Sequence, residues 1–203
     1  MAQQRQDYVD ALGWVAQLMT AVRAPQLTAD TPCEDFDVRS LLGHLIGTAH
    51  RGLATARGIP TRGIPHVVTD VPDAQLAATY AALSAAIAQA WTRLAAADPV
   101  VAPWGPATAV EAARGFTVET VTHGWDLAVS IGQPSDAPHG IADRCLAYAA
   151  DIIPDRLRSV MYDVPVVSGA AVSPTERLAH LLGHRRRPRP GRPVSPGRGD
   201  RDQ

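Results

Sequence analysis

Residues 111–132, with the sequence EAARGFTVETVTHGWDLAVSIG, predict a long helix and place two potential metal ligands on it. Thr108 and Glu111 stand at the spacing of a capping box, in which a threonine and a glutamate satisfy each other's backbone N–H groups at the start of a helix. Gly132 suits the position just after a helix, and Pro134 cannot continue one. The sequence therefore predicts one continuous helix between these signals.

Within this helix, Glu119 and His123 lie four residues apart and therefore on one face. A carboxylate and an imidazole at this spacing can chelate one metal ion, as two histidines do in zinc proteases. The third ligand must come from another helix. His44 is the best candidate, because it interrupts the apolar segment LLGHLIG at residues 41–47. Two histidines and one glutamate would leave coordination positions open, which is typical of a catalytic site.

These residues also have ordinary explanations. Most Glu–His pairs at this spacing are surface ion pairs, and a single interior histidine usually hydrogen-bonds a backbone carbonyl group. His50 is a poorer ligand candidate, because six residues place it about 120° around the helix from His44. The remaining histidines fall in predicted loops or near the C-terminus, where we expect them to be solvated; they are His66, His139, His180 and His184.

Three further residues each have two interpretations. Asp126 follows His123 by three residues and either orients that ligand by a hydrogen bond or pairs with a surface arginine. Trp125 suits packing between helices better than a substrate-binding surface. Cys33 is a weak candidate nucleophile, and we favour a packing role because cysteines outside disulfides are usually buried and inert.

The flanking sequence predicts further helices, because apolar residues recur at spacings of three and four. These helices cover residues 5–23, about 37–57, about 73–97 and 141–153. Asp37 is the expected N-cap of the second, where Phe36 would pack on Leu41 as a hydrophobic staple. Pro154 ends or kinks the last of them.

The connecting segments are rich in Pro and Gly, and we interpret residues 58–72 and 98–106 as loops. Residues 162–170 indicate an extended, strand-like segment. Ser173 and Gly183 bound a short final helix.

This pattern predicts an all-α four-helix bundle with extra C-terminal helices, connected either up-and-down or by crossovers. The bundle domain covers residues 1–184. Residues 185–203 form an Arg/Pro-rich tail with almost no apolar side chains, which we expect to be disordered.

Charge and composition restrict the function classes. The net charge of −1 combines a tail at +5 with a body at −6, and such an acidic body argues against nucleic acid as a partner. The chain has no apolar run of the roughly 20 residues that a membrane span needs and no recognisable signal peptide. Two cysteines do not suggest a disulfide framework. We therefore expect a soluble, cytoplasmic protein.

Three segments resemble one known family. TPCEDFDVRSLLGHLIGTAHR at residues 31–51 and ETVTHGWDLAVSIGQP at residues 119–134 are similar to sequence blocks of the DinB-like bundles. In particular, they resemble the N-terminal, metal-binding domain of mycothiol-dependent maleylpyruvate isomerase and its short actinobacterial relatives. TERLAHLLGH at residues 175–184 is a weaker match to the ending of those short relatives, which have an arginine at the position of His184.

The resemblance implies both a metal site and a chemistry. It implies that His44, Glu119 and His123 bind a divalent metal, most often taken as zinc, with nickel, manganese or iron as alternatives. It also implies a low-molecular-weight thiol, mycothiol, as co-substrate in a transferase or isomerase reaction on a small electrophile, with a homodimer as a possible assembly. The alternative is a non-catalytic metal-binding or regulatory module of the same fold.

Overall fold

The computed structural model describes residues 1–34, 36–152, 163–169 and 171–186. The helices in this part of the chain are α1 (Ala2–Thr20), α2 (Val38–Ala56), α3 (Leu76–Trp91), α4 (Ala109–Ile131), α5 (Ile141–Ile152) and α6 (Pro174–Leu181). Two short strands, β1 (Pro99–Ala102) and β2 (Gly105–Thr108), pair antiparallel just before α4. The predicted all-α fold class is confirmed.

The four long helices form a bundle with crossover connections. Helices α1 and α2 each pack against α3 and α4, so the consecutive helices α1 and α2 lie on a diagonal of the bundle rather than side by side. Helices α5 and α6 pack against α4 and against each other. Of the two connection patterns that the sequence allows, the structure therefore has the crossover form.

The predicted helix caps are present. The Asp37 carboxylate accepts a hydrogen bond from the Ser40 backbone N–H at 2.7 Å and begins α2. Thr108 and Glu111 form the capping box of α4, and the Glu111 carboxylate accepts from the Thr108 N–H at 2.8 Å. Gly132 ends α4 in the left-handed conformation, with φ at 72°. Local side-chain chemistry therefore fixes the ends of the two helices that carry the predicted ligands.

Aromatic side chains fill the centre of the bundle. Tyr8 on α1 stacks on Phe116 of α4 at 5.6 Å between ring centroids, and its edge meets Trp91 of α3 at 5.5 Å. Nearer the predicted ligands, α1 and α4 approach closely at Gly124, where a Cβ atom would clash with the Trp14 ring. A glycine next to His123 therefore lets α1 pack tightly behind this part of α4.

Two predictions for the chain after the start of α3 are wrong. The helix ends at Trp91, six residues before the predicted end, and residues 99–108 form a hairpin in place of a loop. The Asp98 carboxylate accepts a hydrogen bond from the Ala95 N–H at 2.8 Å, and the backbone carbonyl of Asp98 accepts one from the Ala109 N–H at 2.9 Å. These bonds close a turn and join the hairpin to the start of α4, so backbone pairing satisfies the groups that a longer helix would have used.

The C-terminal part of the bundle also differs from its prediction. Residues 163–169 form no regular strand, but Val166 N–H donates to the His180 carbonyl at 2.8 Å and Asp163 N–H donates to that of Leu182 at 3.2 Å. The short final helix is confirmed, with Ser173 as its N-cap. Pro154 and residues 187–203 lie outside the described residues, so the disorder of the tail stays a prediction. Among the described helices, none is long and apolar enough to span a membrane.

Candidate metal centre

The structure brings the three predicted ligands together between α2 and α4. One potential ligand atom from each of His44, Glu119 and His123 lies within 4.8 Å of the others. Glu119 Oε1 is 3.1 Å from His44 Nε2 and 3.6 Å from His123 Nε2. Tetrahedral coordination with bonds of about 2.0–2.1 Å separates ligand atoms by about 3.3–3.4 Å. The observed distances bracket this value, so the donor set suits a small divalent cation.

A close approach of the loop after α2 anchors the His44 ring. A Cβ atom at Gly43 or Gly47 would meet the backbone carbonyls of Val68 and Pro65, so these glycines let the loop lie directly on the helix. The His66 carbonyl then lies 3.2 Å from His44 Nδ1 and accepts its proton. Nε2 of His44 faces Glu119 and can coordinate a metal once it carries no proton.

A buried carboxylate anchors the second ring. Asp126 is fully buried, and its Oδ2 accepts from His123 Nδ1 at 2.9 Å. Of the two interpretations of Asp126, the structure supports orientation of His123, since this carboxylate is bonded to His123 and His184 and, within the described part of the chain, not to an arginine. Both predicted histidine ligands therefore hold Nδ1 in a hydrogen bond and present Nε2 to Glu119.

His184 belongs to this network, although the sequence predicted it to be solvated. It follows α6, its side chain is only 14% exposed, and its Nδ1 donates to the Asp126 carboxylate at 2.8 and 3.0 Å. The prediction was wrong because 58 residues separate His184 from Asp126, and only the packing of α6 on α4 brings them together. The one available signal was its place in the block at residues 175–184, where the family has another basic residue.

The other histidines divide into two groups. His66 and His139 are exposed as expected. His50 is also exposed and takes no part in the cluster. His180 is buried, contrary to the prediction, because its ring packs edge-on against Trp125 at 6.2 Å and its Nδ1 lies 2.9 Å from the Ser168 hydroxyl.

The electrostatics of the cluster reflect competition between burial and pairing. Burial alone would lower the pKa of His123, but its hydrogen bonds to Asp126 and Glu119 and their charges raise the pKa to about 10. Burial lowers the pKa of His44, against the opposing hydrogen bond to Glu119. Burial would raise the pKa of Glu119, yet its bonds to the two histidines hold that pKa well below its ordinary value. Glu119 is therefore an anion over the whole neutral range.

The cluster is open on one side and covered on another. The Glu119 side chain is 32% exposed, while those of His44 and His123 are 4% and 9% exposed. Phe36 stacks on His44 with 4.9 Å between ring centroids and separates it from solvent. A small molecule could therefore reach the cluster from the Glu119 side.

Trp125 and Cys33 complete the surroundings. Trp125 is fully buried, which agrees with a packing role. Cys33 is partly buried and not in a disulfide. Its sulfur lies within 4.8 Å of one ring nitrogen of His123 and one of His184, so it stands beside the cluster rather than at a distant bundle end. Sequence reasoning placed Cys33 before α2 but could not show that it meets the C-terminal segment.

Comparisons with known proteins agree with this arrangement. The family model described as the mycothiol maleylpyruvate isomerase N-terminal domain matches residues 10–128, which include His44, Glu119 and His123. The chain is 31% identical over 156 residues to each of two uncharacterized Mycobacterium tuberculosis proteins, MT0763 of strain CDC 1551 and Rv0738 of strain H37Rv. Each match covers 70% of this chain and 75% of the relative. No solved structure matches significantly. The chain belongs to the mycothiol maleylpyruvate isomerase N-terminal domain family.

Proposed function

We propose that the protein binds one divalent metal ion through His44, Glu119 and His123 and acts with a low-molecular-weight thiol on a small electrophile. The reaction is a transfer or an isomerisation, with mycothiol as the thiol that family membership favours. The observation that carries the proposal is the convergence of three ligand atoms from two helices within 4.8 Å. Zinc is the metal that we favour for two nitrogen ligands and one oxygen ligand.

The chain's own contacts would keep the ligands in place before a metal binds. The His66 carbonyl fixes the His44 ring through Nδ1, and Asp126 fixes the His123 ring in the same way. Partners of this kind typically change metal affinity or activity by about 10–100-fold. The two rings then need little reorganisation to coordinate, and the Glu119 anion adds the charge that a cation requires.

The expected chemistry follows from this environment. When bound, a divalent metal lowers the pKa of a thiol, so that the nucleophilic thiolate is available at neutral pH. The partly exposed Glu119 marks the side from which thiol and substrate enter, and Phe36 excludes water from the His44 side. The Arg51 guanidinium, which interacts electrostatically with Glu119, adds positive charge near this opening.

A non-catalytic metal-binding module of the same fold is the second candidate. The proximity of Cys33 and His184 to His123 favours it, because further protein ligands would close the coordination positions that a catalytic site keeps open. Thiol-dependent turnover distinguishes the two candidates.

The first test is the metal content of protein purified without a metal-affinity tag. Replacing His44, Glu119 or His123 by Ala should lower bound metal well below one equivalent, whereas His50→Ala should leave it unchanged. His50 is the matched control because it lies on the same helix as His44 but is exposed. Equal metal content in all four variants would refute the proposed ligand set.

The second test separates catalysis from binding. Metal-loaded protein is mixed with mycothiol and a panel of small electrophiles, and thiol consumption and isomerised products are measured. We expect turnover that requires both metal and thiol and that disappears in Glu119→Gln. Full metal binding without any thiol-dependent product would favour the non-catalytic module.

A further inference from the structure

A second set of potential ligands shares His123 with the first. It consists of the Cys33 sulfur and one ring nitrogen each from His123 and His184, all within 4.8 Å of one another. Sulfur and imidazole donors suit soft or borderline cations such as Zn²⁺, Co²⁺ and Cd²⁺, whereas carboxylate oxygen suits harder ions. Both sets would therefore accept Zn²⁺, and the sulfur of the second set adds a preference for softer cations such as Cd²⁺.

The hydrogen bonds of Asp126 prepare both histidines of this second set for coordination. Its buried carboxylate accepts from Nδ1 of His123 at 2.9 Å and from Nδ1 of His184 at 2.8 Å. Each neutral ring then carries its lone pair on Nε2. A carboxylate behind a histidine is the usual support of a metal ligand, and here one carboxylate supports two. A packing role for His184 would not require this orientation.

Separate backbone contacts hold the two new residues in place. On one side, the Thr31 hydroxyl lies 2.8 and 2.7 Å from the carbonyl oxygens of Cys33 and Phe36, which share its one proton, before the start of α2. On the other, the His184 N–H donates to the Ala179 carbonyl at 3.0 Å, just after the positive φ of Gly183. Cys33 and His184 are therefore presented by ordered backbone on both sides.

A contact between the next residues along the chain joins these two segments. Arg185 and Glu34 form an ion pair of 3.3 Å, directly after His184 and Cys33 respectively. The pair is exposed and contributes little stability by itself. It shows, however, that the turn before α2 and the segment after α6 meet at this place.

We propose that Cys33, His123 and His184 form a second, thiolate-containing site for a soft divalent cation. The site uses His123 but needs neither His44 nor Glu119. Because both sets need a nitrogen of His123, the two sets bind one ion in alternation. Coordination replaces the S–H bond of Cys33 by a sulfur–metal bond and releases the proton to solvent.

Cobalt(II) added to metal-free protein tests this site, because a thiolate bound to Co²⁺ gives a near-ultraviolet charge-transfer absorption that histidine and carboxylate ligands do not give. We expect this absorption in the unmodified chain and its loss in Cys33→Ser and His184→Ala. His44→Ala and Glu119→Gln should retain it. Cys145→Ser is the matched control, because Cys145 lies in another part of the core and should have no effect. Circular dichroism verifies that each variant is folded.

The outcomes separate this proposal from the proposed function. Absence of thiolate absorption in the unmodified chain overturns the second site, even if Co²⁺ binds at His44, Glu119 and His123. Loss of the absorption in both His44→Ala and Glu119→Gln also overturns it, because Cys33 would then be a further ligand of a single site. Thiolate absorption that persists in His44→Ala after cobalt is added supports the second site, whereas unchanged metal content of this variant as purified contradicts the first.

Discussion

Two buried aspartates on adjacent helices show how the choice of partner separates a structural contact from a functional one. Asp7 on α1 is 2% exposed and is neutralised by Arg144 of α5, with three hydrogen bonds of 2.6–3.1 Å. Asp126 on α4 is fully buried and is paired with His123 and His184. Arginine stays charged at any accessible pH, whereas histidine can lose its proton and coordinate a metal.

The comparison shows that burial of a carboxylate does not by itself indicate a site. The hydrogen bond from Arg144 to Asp7 raises the pKa of the guanidinium, so this pair is fixed and joins α1 to α5. The charge of His184 and the bonds from both histidines lower the pKa of Asp126 against the effect of burial. Asp126 is thus a permanent anion whose partners can exchange protons or metal, and only this second network can support chemistry.

The largest effect that we predict is loss of the Arg144 charge. Arg144→Met leaves the Asp7 carboxylate buried without its cation and should lower the free energy of unfolding by about 3 kcal/mol. Denaturant titration measures this loss, and metal content should not change. The double variant Asp7→Asn/Arg144→Met should recover most of the stability, since no charge is then buried. A loss below about 1 kcal/mol would show that the pair contributes no more to stability than an exposed surface ion pair does.

Asp126→Asn tests the other half of the comparison. The amide keeps the size of the side chain but loses the charge that orients His123, so metal affinity should fall by about 10–100-fold. Competition with a coloured chelator measures this change. Asp7→Asn is the matched control, because it removes an equally buried carboxylate far from the ligands and should leave metal affinity unchanged. Equal losses in both variants would show that the effect is one of general stability.

The pH dependence of the metal-free protein provides a third test. The pKa of His123 is raised from 6.5 to about 10, so the stability that its proton contributes is fully present below pH 6.5 and is lost as pH rises toward 10. We expect the melting temperature of chelator-treated protein to fall by several degrees over this interval. His123→Asn should flatten the profile, and His50→Asn should not. A flat profile in the unmodified chain would contradict the pairing of His123 with Asp126 and Glu119.

The parts of the fold that the sequence predicted depend on local signals. Asp37 and the Thr108–Glu111 pair cap their helices through bonds that span three residues, and the structure contains both. The proximity of Glu119 and His123 follows directly from helical spacing. These features could be predicted because residues close in sequence determine them.

The features that the sequence missed depend on contacts between distant segments. Nothing near His184 shows that it would reach Asp126, and nothing near Cys33 indicates a partner after α6. The hairpin at residues 99–108 was missed because its four-residue strands contain proline and glycine, which indicate a loop. Predicting His44 as a ligand required the family resemblance in addition to its apolar surroundings. The contact of its ring with the His66 carbonyl joins two segments and could not be predicted from local sequence.

The smallest effect concerns the boundary of the bundle domain, which the sequence places after His184. Arg186 nevertheless packs on the bundle. Like Arg144, it makes a fixed ion pair: it donates to the Glu176 carboxylate at 2.8 and 3.0 Å, and its guanidinium lies 5.5 Å from the Trp125 ring centroid. Because Arg186 is half exposed, these contacts should contribute about 1 kcal/mol, or about 2–4 °C in melting temperature for a chain of this size.

Removing residues 187–203 should therefore leave the melting temperature unchanged, whereas removing residues 185–203 should lower it by that amount. Calorimetry of the two truncated chains compares them directly, with metal content measured in both. Equal melting temperatures of the two truncated chains would place the domain boundary after His184. A lower melting temperature after removal of residues 187–203 alone would show that these residues pack on the bundle.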